Sequence, residues 1–315
     1  MEAGTVSSIL RTAFLRRVLA VGLAGILLAL APVACWAEDP SAKAHPTVVF
    51  MTDFGVIDDS VALCKGVMYS VAPELRIVDL THQVTAFSIL DGARYLEGAS
   101  PYFPAGTVFV TVIDPGVGSA RKAVVVKSKR EQYFVLPDNG LMTLVQDRDG
   151  IEAAREITNR SWMIGAGISS TFHGRDIFSP VGAHVARGDD WTQVGPEVPV
   201  DKLVRLNLTP PKLGEHGLSG EVLALDGAFG NLVTNISRED FNKLGYKLGE
   251  KVHVTIGKTA LDLPFVRTFS DVAAKQPLLY IDSREKISFA VNLGSFAGVY
   301  RIRPPAEILI SAAKR

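Results

Sequence analysis

The stretch VTVIDPGVGSARKAVVVKS (110–128) carries an aspartate, Asp114, and an arginine, Arg121, between two runs of β-branched residues. A Pro-Gly turn and a second glycine separate them. They are either charges on a hairpin turn or two reactive groups held up by the flanking strands. Taken alone, the turn is the safer reading. Asp53 resists that explanation better. It ends the apolar run PTVVFMT (46–52), and a carboxylate at the end of a buried strand needs a hydrogen-bonding partner. A ribose diol is a natural donor to it; a metal ion is the other candidate.

The remaining polar clusters each have a plain structural reading. MTDFGVIDDS sets Asp58, Asp59 and Ser60 in a glycine turn that opens a helix, where Asp58 or Asp59 serves as N-cap. STFHGRDIFSP (170–180) puts His173 beside a glycine, with Arg175 and Asp176 at a helix start. A lone histidine in a turn is more often structural than catalytic, and Asp176 reads as the helix cap. In ALDGAFGNLVTN (224–235), Asp226 and Asn231 leave the apolar pattern around a Phe-Gly turn, where local backbone bonds account for both. Ser283 and Arg284 occupy the hairpin turn of YIDSREKISFAVN (280–292). There is no P-loop, no Gly-x-Ser-x-Gly elbow and no His-Glu-x-x-His, so no single motif settles a function.

Periodicity indicates the elements that must position these groups. Strands are expected at 46–52, 75–81, 107–113, 122–128 and 132–138, and helices at 59–71, 89–103 and 176–188. This alternation implies an α/β domain with a central sheet covered on both faces, whose sites lie beyond the carboxyl ends of the strands. Asp53, Asp114 and Asp138 all follow such ends. The Pro-Pro segment RLNLTPPKLGEHG (205–217) reads as a linker. Beyond it, strands at 218–226, 231–236, 251–256, 277–283, 287–293 and 299–304 form a smaller, mostly β, barrel-like or sandwich unit. One short helix, capped by Ser237, interrupts them. The expected organisation is a leader over 1–37, an N-terminal domain over 38–205, a linker over 206–216 and a C-terminal domain over 217–315.

The leader is legible from its composition. Arg11, Arg16 and Arg17 precede an apolar run from Val18 to Pro32, and Cys35-Trp36-Ala37 offers a small-residue cleavage site. This is the pattern of a secretory signal peptide, too short to span a bilayer by itself. Cleavage after Ala37 is expected, to a periplasm or cell surface. Cys35 offers a lipid anchor instead, although Pro32 stands where an aliphatic residue would be expected. The mature chain keeps 30 basic and 32 acidic residues, which leaves no basic field for nucleic acid. It keeps one cysteine, Cys64, so an intrachain disulfide is excluded, and no Cys-His spacing suggests zinc.

Taken together and in order, Asp53-Phe54-Gly55 with Asp58, then DPGVGSAR, PDNGL (137–141), FHGRDIFSP and DGAFGNLVTN resemble one family over residues 48–297. It is the S-adenosylmethionine hydroxide adenosyltransferases, hydrolases related to the fluorinating and chlorinating enzymes. The resemblance implies a homotrimer with ligand sites between the N-terminal domain of one subunit and the C-terminal domain of the next, and no cofactor. Asp114, Arg121 and His173 match a set that activates water in the hydrolase branch; the halogenating branch lacks it and binds halide there. Asp53 matches the carboxylate that holds the ribose hydroxyls, and Asp58, Ser60 and Phe87 fall where the pocket is lined. Asp226 matches an acceptor for the methionine ammonium, Asn231 a partner of the adenine edge, and Ser283 and Arg284 the turn that meets the methionine carboxylate.

The implied reaction is displacement at the ribose 5′ carbon by water, releasing methionine and adenosine. A sulfonium leaves as a neutral thioether, so departure needs no general acid. The site needs an oriented water that loses a proton, with Asp114 or His173 as the acceptor and Arg121 to stabilise developing hydroxide. The rival enzyme class is a calcium-dependent nucleoside hydrolase, whose Asp-rich N-terminal loop is similar to TDFGVIDD. Here Met51 and Thr52 precede Asp53 without a further carboxylate. A secreted nucleoside-binding protein without turnover is the non-enzymatic alternative. S-adenosylmethionine is made in the cytoplasm, so an exported chain widens the substrate class to related adenosyl sulfoniums.

Overall fold

A computed structural model of the chain describes residues 46–165 and 167–313; the leader expected over 1–37, with Cys35, lies outside them. The first six strands are β1 (Thr47–Thr52), β2 (Arg76–Thr81), β3 (Val108–Val112), β4 (Ala123–Ser128), β5 (Tyr133–Pro137) and β6 (Ile151–Glu156). They form one sheet in the order β2-β1-β3-β5-β4-β6. β1 pairs in parallel with β2 and β3, and β3 with β5, while β4 runs antiparallel to both β5 and β6.

Strand alternation explains why both faces are apolar. Val48, Phe50, Val108, Val110 and Val125 point to the face covered by α1 (Ser60–Val71) and a later helix at 179–187. Val49, Met51, Phe109, Val124 and Val126 point to the other, under α2 (Ile89–Ala99) and α3 (Thr143–Asp149). The later helix, α4 (Ser179–Arg187), lies so close to the sheet that a Cβ on Gly182 would stand 2.2 Å from Val110 Cγ2. The segment α3–β6 had no counterpart in the expected elements.

The second unit is antiparallel: β7 (Lys212–Gly214), β8 (Gly217–Asp226), β9 (Asn231–Ser237), α5 (Arg238–Asn242), β10 (Lys251–Ile256), β11 (Thr259–Pro264), β12 (Pro277–Ile281), β13 (Lys286–Val291), α6 (Phe296–Tyr300) and β14 (Ala306–Ile310). The main path is β11-β10-β14-β8-β9-β13-β12, with β7 added beside β8. A bridge between Phe265 and Leu279 draws the two ends together, so the sheet is a nearly closed barrel around Val222, Leu232, Val254 and Phe289. Ser237 caps α5 by accepting from Asp240 N at 3.0 Å, as its sequence position indicates.

Three local expectations need correction. β3 and β4 do not form a hairpin, because β5 lies between them; residues 113–122 instead bridge the carboxyl end of β5, where Asp138 N donates to Lys122 O at 2.9 Å. The segment expected as linker over 206–216 contains β7, and Leu206 N donates to Thr143 Oγ1 at 2.9 Å, so the N-terminal unit holds its start. The last expected strand, 299–304, is the end of α6 and a turn; the strand follows at β14.

Gly182→Ala is expected to overpack the α4–β3 contact and lower stability by about 1–3 kcal/mol, read from urea unfolding. An unchanged unfolding midpoint would contradict the close packing described.

Candidate active site

The expected site residues gather into two groups. The first surrounds a cavity of about 240 Å³ at the carboxyl ends of β1 and β3, lined by Asp53, Phe87, Asp114 and His173 and walled by Phe54 and Phe172. The bridging loop presents Asp114 and Arg121 here. Arg121 Nε donates to Asp114 Oδ1 at 2.9 Å and its Nη2 to Oδ2, a two-point fork between side chains that are 11% and 4% exposed. The same Nη2 lies 3.1 Å from His173 Nδ1. The guanidinium also stands 5.1 Å from the centre of the Phe178 ring, which supports it from below.

Arginine carries donors and no acceptor, so His173 must receive the Arg121 hydrogen bond on an unprotonated Nδ1. The neutral ring then holds its proton on Nε2, an assignment made from the hydrogen-bond pattern. Burial lowers the His173 pKa from its ordinary 6.5, and the Arg121 charge adds to this against the opposing pull of Asp114 and Asp176. Protonating Nδ1 would set two donors face to face and break the contact with Arg121.

Asp53 is fixed from the other side. Its Oδ2 accepts from Phe87 N at 2.9 Å, and among the described residues no donor reaches Oδ1. Phe87 holds a left-handed φ of +66° and is 73% exposed, a backbone strain of roughly 1–3 kcal/mol for a non-glycine residue. Beneath this turn sits His82, which the sequence did not single out. Its Nδ1 lies 2.9 Å from Thr52 Oγ1, its Nε2 3.1 Å from Asp79 Oδ1, and its carbonyl accepts from Gly55 N at 2.7 Å. Phe54, Phe172 and His82 were invisible as site residues because an aromatic or histidine beside an apolar run usually belongs to the core.

Asp58 and Ser60 do not line this cavity; Asp58 Oδ1 accepts from Ser60 N at 3.0 Å and so opens α1, while Asp59, at the N-cap, makes no side-chain cap bond. Asp176 is not a helix cap. It is fully buried inside a π-helical turn, Gly174–Phe178, that precedes α4. Asp138 is directed away, accepting from Val204 N at 2.8 Å, and burial raises its pKa. These carboxylates do not converge, and among the described residues no group of three or more His, Cys, Asp or Glu is placed to hold a metal ion.

The second group lies on the barrel. Asp226 and Asn231 line a cavity of about 560 Å³ with Phe229 and Phe269, and Asn231 Nδ2 lies 3.3 Å from Asp226 Oδ2. Asp226 also borders a cavity of about 340 Å³ shared with Ser283, Arg284, Tyr95 and Arg94. Arg284 reaches α2, where its guanidinium stands 6.0 Å from the Tyr95 ring centre, and Gly98 leaves the room it occupies. A larger concavity of about 1080 Å³, around Tyr246 and His253, carries none of the expected residues. Its size does not outweigh the convergence of polar groups at the smaller ones.

An α/β domain with polar groups at its strand ends, joined to a barrel that carries a second set, defines a two-domain small-molecule protein. Family profiles for the SAM hydroxide adenosyltransferase N-terminal and C-terminal domains match residues 48–195 and 220–309. The chain is 37% identical over 268 residues to a protein of Salinispora tropica named (R)-S-adenosyl-L-methionine hydrolase, covering 85% of this chain and 98% of that one. It is 33% identical over 297 residues to a fluorinase of Actinoplanes, covering 86% and 99%. A crystal structure of an uncharacterised conserved protein from Thermotoga maritima superposes with a TM-score of 0.79 at 38% identity, over 84% of this chain and 99% of that one. The chain belongs to the SAM hydroxide adenosyltransferase family.

A histidine-resolved NMR titration of the unliganded protein should place His173 below 6.5, and Arg121→Gln should raise its midpoint by removing the cation. A wild-type midpoint above 6.5 would contradict the geometry given for this ring.

Proposed function

We propose that the protein hydrolyses S-adenosyl-L-methionine, or a related adenosyl sulfonium, to adenosine and L-methionine. The observation that carries this reading is the assembled Asp114–Arg121–His173 set at the cavity that also holds Asp53. Relatives bear both hydrolase and fluorinase names, so the family alone does not choose the nucleophile. A halide needs no proton acceptor. A carboxylate acceptor beside the reacting centre suits water.

In this reading Asp53 accepts hydrogen bonds from the ribose diol through its unengaged oxygen, and Phe54, Phe87 and Phe172 exclude bulk water. Water attacks the 5′ carbon as the carbon–sulfur bond breaks, and its electron pair leaves on the methionine sulfur as a neutral thioether. The water proton goes to Asp114. His173, with its proton on Nε2, donates to and orients that water and is not the base. Arg121 bonds both Asp114 and His173 and stabilises developing hydroxide. Asp226 and Asn231, with Ser283 and Arg284, take the methionine ammonium, the adenine edge and the methionine carboxylate.

The cavity at β1 and β3 is smaller than the roughly 300–1,000 Å³ of a typical small-molecule site. Exposed Phe87 borders the first half-site, and exposed Phe229 and Leu293 border the second. These features support a homotrimer in which each barrel completes the neighbouring subunit's site. The leader sequence supports export to the periplasm or cell surface, where the substrate is a sulfonium that reaches that compartment.

Incubating the mature protein with S-adenosyl-L-methionine should yield adenosine and methionine in equal amounts, with or without a chelator. Asp114→Asn and His173→Ala should each lower kcat by about 10²-fold or more. Absence of products from the folded wild-type protein, or full turnover by His173→Ala, would defeat the proposal. A calcium requirement with release of free adenine would favour the nucleoside hydrolase instead.

A further inference from the structure

Asp176 is fully buried, and its amide, its carbonyl and one carboxylate oxygen all bond into the segment leading to His173. Its Oδ2 accepts from Ser169 N at 2.7 Å, its carbonyl accepts from Ile164 N at 2.9 Å, and its N donates to Phe172 O at 3.2 Å. A helix cap would bind forward, to the first free N–H groups of α4. Asp176 binds backward, to the loop. Its carboxylate is balanced by Arg175, whose Nε and Nη2 donate to Oδ1 and Oδ2 at 2.6 and 3.1 Å.

Arg175 carries this constraint into the cavity wall. Its guanidinium stands 5.0 Å from the centre of the Phe172 ring, and Phe172 meets Phe54 edge to face at 5.8 Å and 70°. Phe54 and Phe172 line the same cavity as Asp53 and His173. The contacts leave no slack: a Cβ on Gly174 would lie 2.8 Å from Phe54 Cζ, and one on Gly118 would lie 2.4 Å from Ser170 O. The loop that carries Asp114 and Arg121 is therefore seated on the segment that Asp176 fastens. A π-helical turn at this point is the backbone irregularity that lets consecutive residues, His173 to Asp176, face the cavity and the interior in turn.

We propose that Arg175 and Asp176 are positioning residues, which fix His173 on one side and the Phe172–Phe54 wall on the other so that the water-activating and ribose-holding halves of the site share one geometry. Neither touches the reacting atoms. Their consequence for turnover rests on the hydrolase reading; their effect on His173 does not. The charged groups facing His173 are Arg121, Asp114 and Asp176, and the last favours the imidazolium.

The test combines Asp176→Asn, Arg175→Lys and Phe172→Leu, each checked for folding by circular dichroism and thermal midpoint. In the unliganded protein, Asp176→Asn should move the His173 side-chain resonances and lower its titration midpoint. With S-adenosyl-L-methionine, kcat of the same variant should fall about 10- to 100-fold, the loss that a small misplacement near the chemistry brings. Arg175→Lys keeps the charge pair but not the flat face on Phe172, so it should preserve the His173 titration and raise KM several-fold, as should Phe172→Leu. A folded Asp176→Asn protein with unchanged His173 resonances and kcat within twofold of wild type would overturn the proposal. If that variant does not fold, unchanged KM in both Arg175→Lys and Phe172→Leu overturns it. If the wild-type protein shows no hydrolysis, the NMR comparison still decides the positioning role, and only the reaction is lost.

Discussion

The fork between Arg121 and Asp114 is the interaction on which the rest of the site depends. Both side chains are nearly buried, so each needs the other: removing one partner of such a pair typically costs about 3–5 kcal/mol because a charge is left uncompensated. The fork uses both carboxylate oxygens, and one of its two donors, Nη2, also reaches His173. Because arginine only donates, the histidine tautomer follows, and the proposed division of labour between carboxylate and imidazole rests on that tautomer. The Phe178 ring below, and Gly118 seated on Ser170, hold the fork at the cavity.

That arrangement is a product of strand order. Were β3 and β4 paired as a hairpin, Asp114 and Arg121 would sit at a solvent-exposed tip. With β5 inserted between them, the connection must cross the carboxyl end of the sheet, where β1 delivers Asp53 and the turn before α4 delivers His173. One crossing therefore joins groups that are far apart in the sequence. The aspartate after β1 is held by the Phe87 backbone, which is left-handed, and the Phe87 ring is exposed.

Much of the fold was legible because alternation of β-branched runs with helical periodicity depends on local sequence. The α/β character of the first unit, the strand-rich second unit and the Ser237 cap all came from such patterns. What was not legible depends on pairing at a distance. Nothing within VTVIDPGVGSARKAVVVKS says that a third strand will enter between its two runs. Asp176 read as a cap because a carboxylate at a helix start usually is one, and only the folded loop shows it bonding backward. The short helix α3 escaped because TLVQDRD carries too little apolar periodicity to announce itself. Of the site, the resemblance named the polar residues, while the supporting Phe54, Phe172, Phe178 and His82 became visible only through their contacts.

The central claim is that water attacks the ribose 5′ carbon. It is tested most directly by turnover of S-adenosyl-L-methionine in ¹⁸O-enriched water, with the products read by mass spectrometry. The account predicts one ¹⁸O atom in adenosine, on the 5′ oxygen, and none in methionine. Label on the ribose 1′ carbon with release of free adenine, or label in methionine, would contradict it.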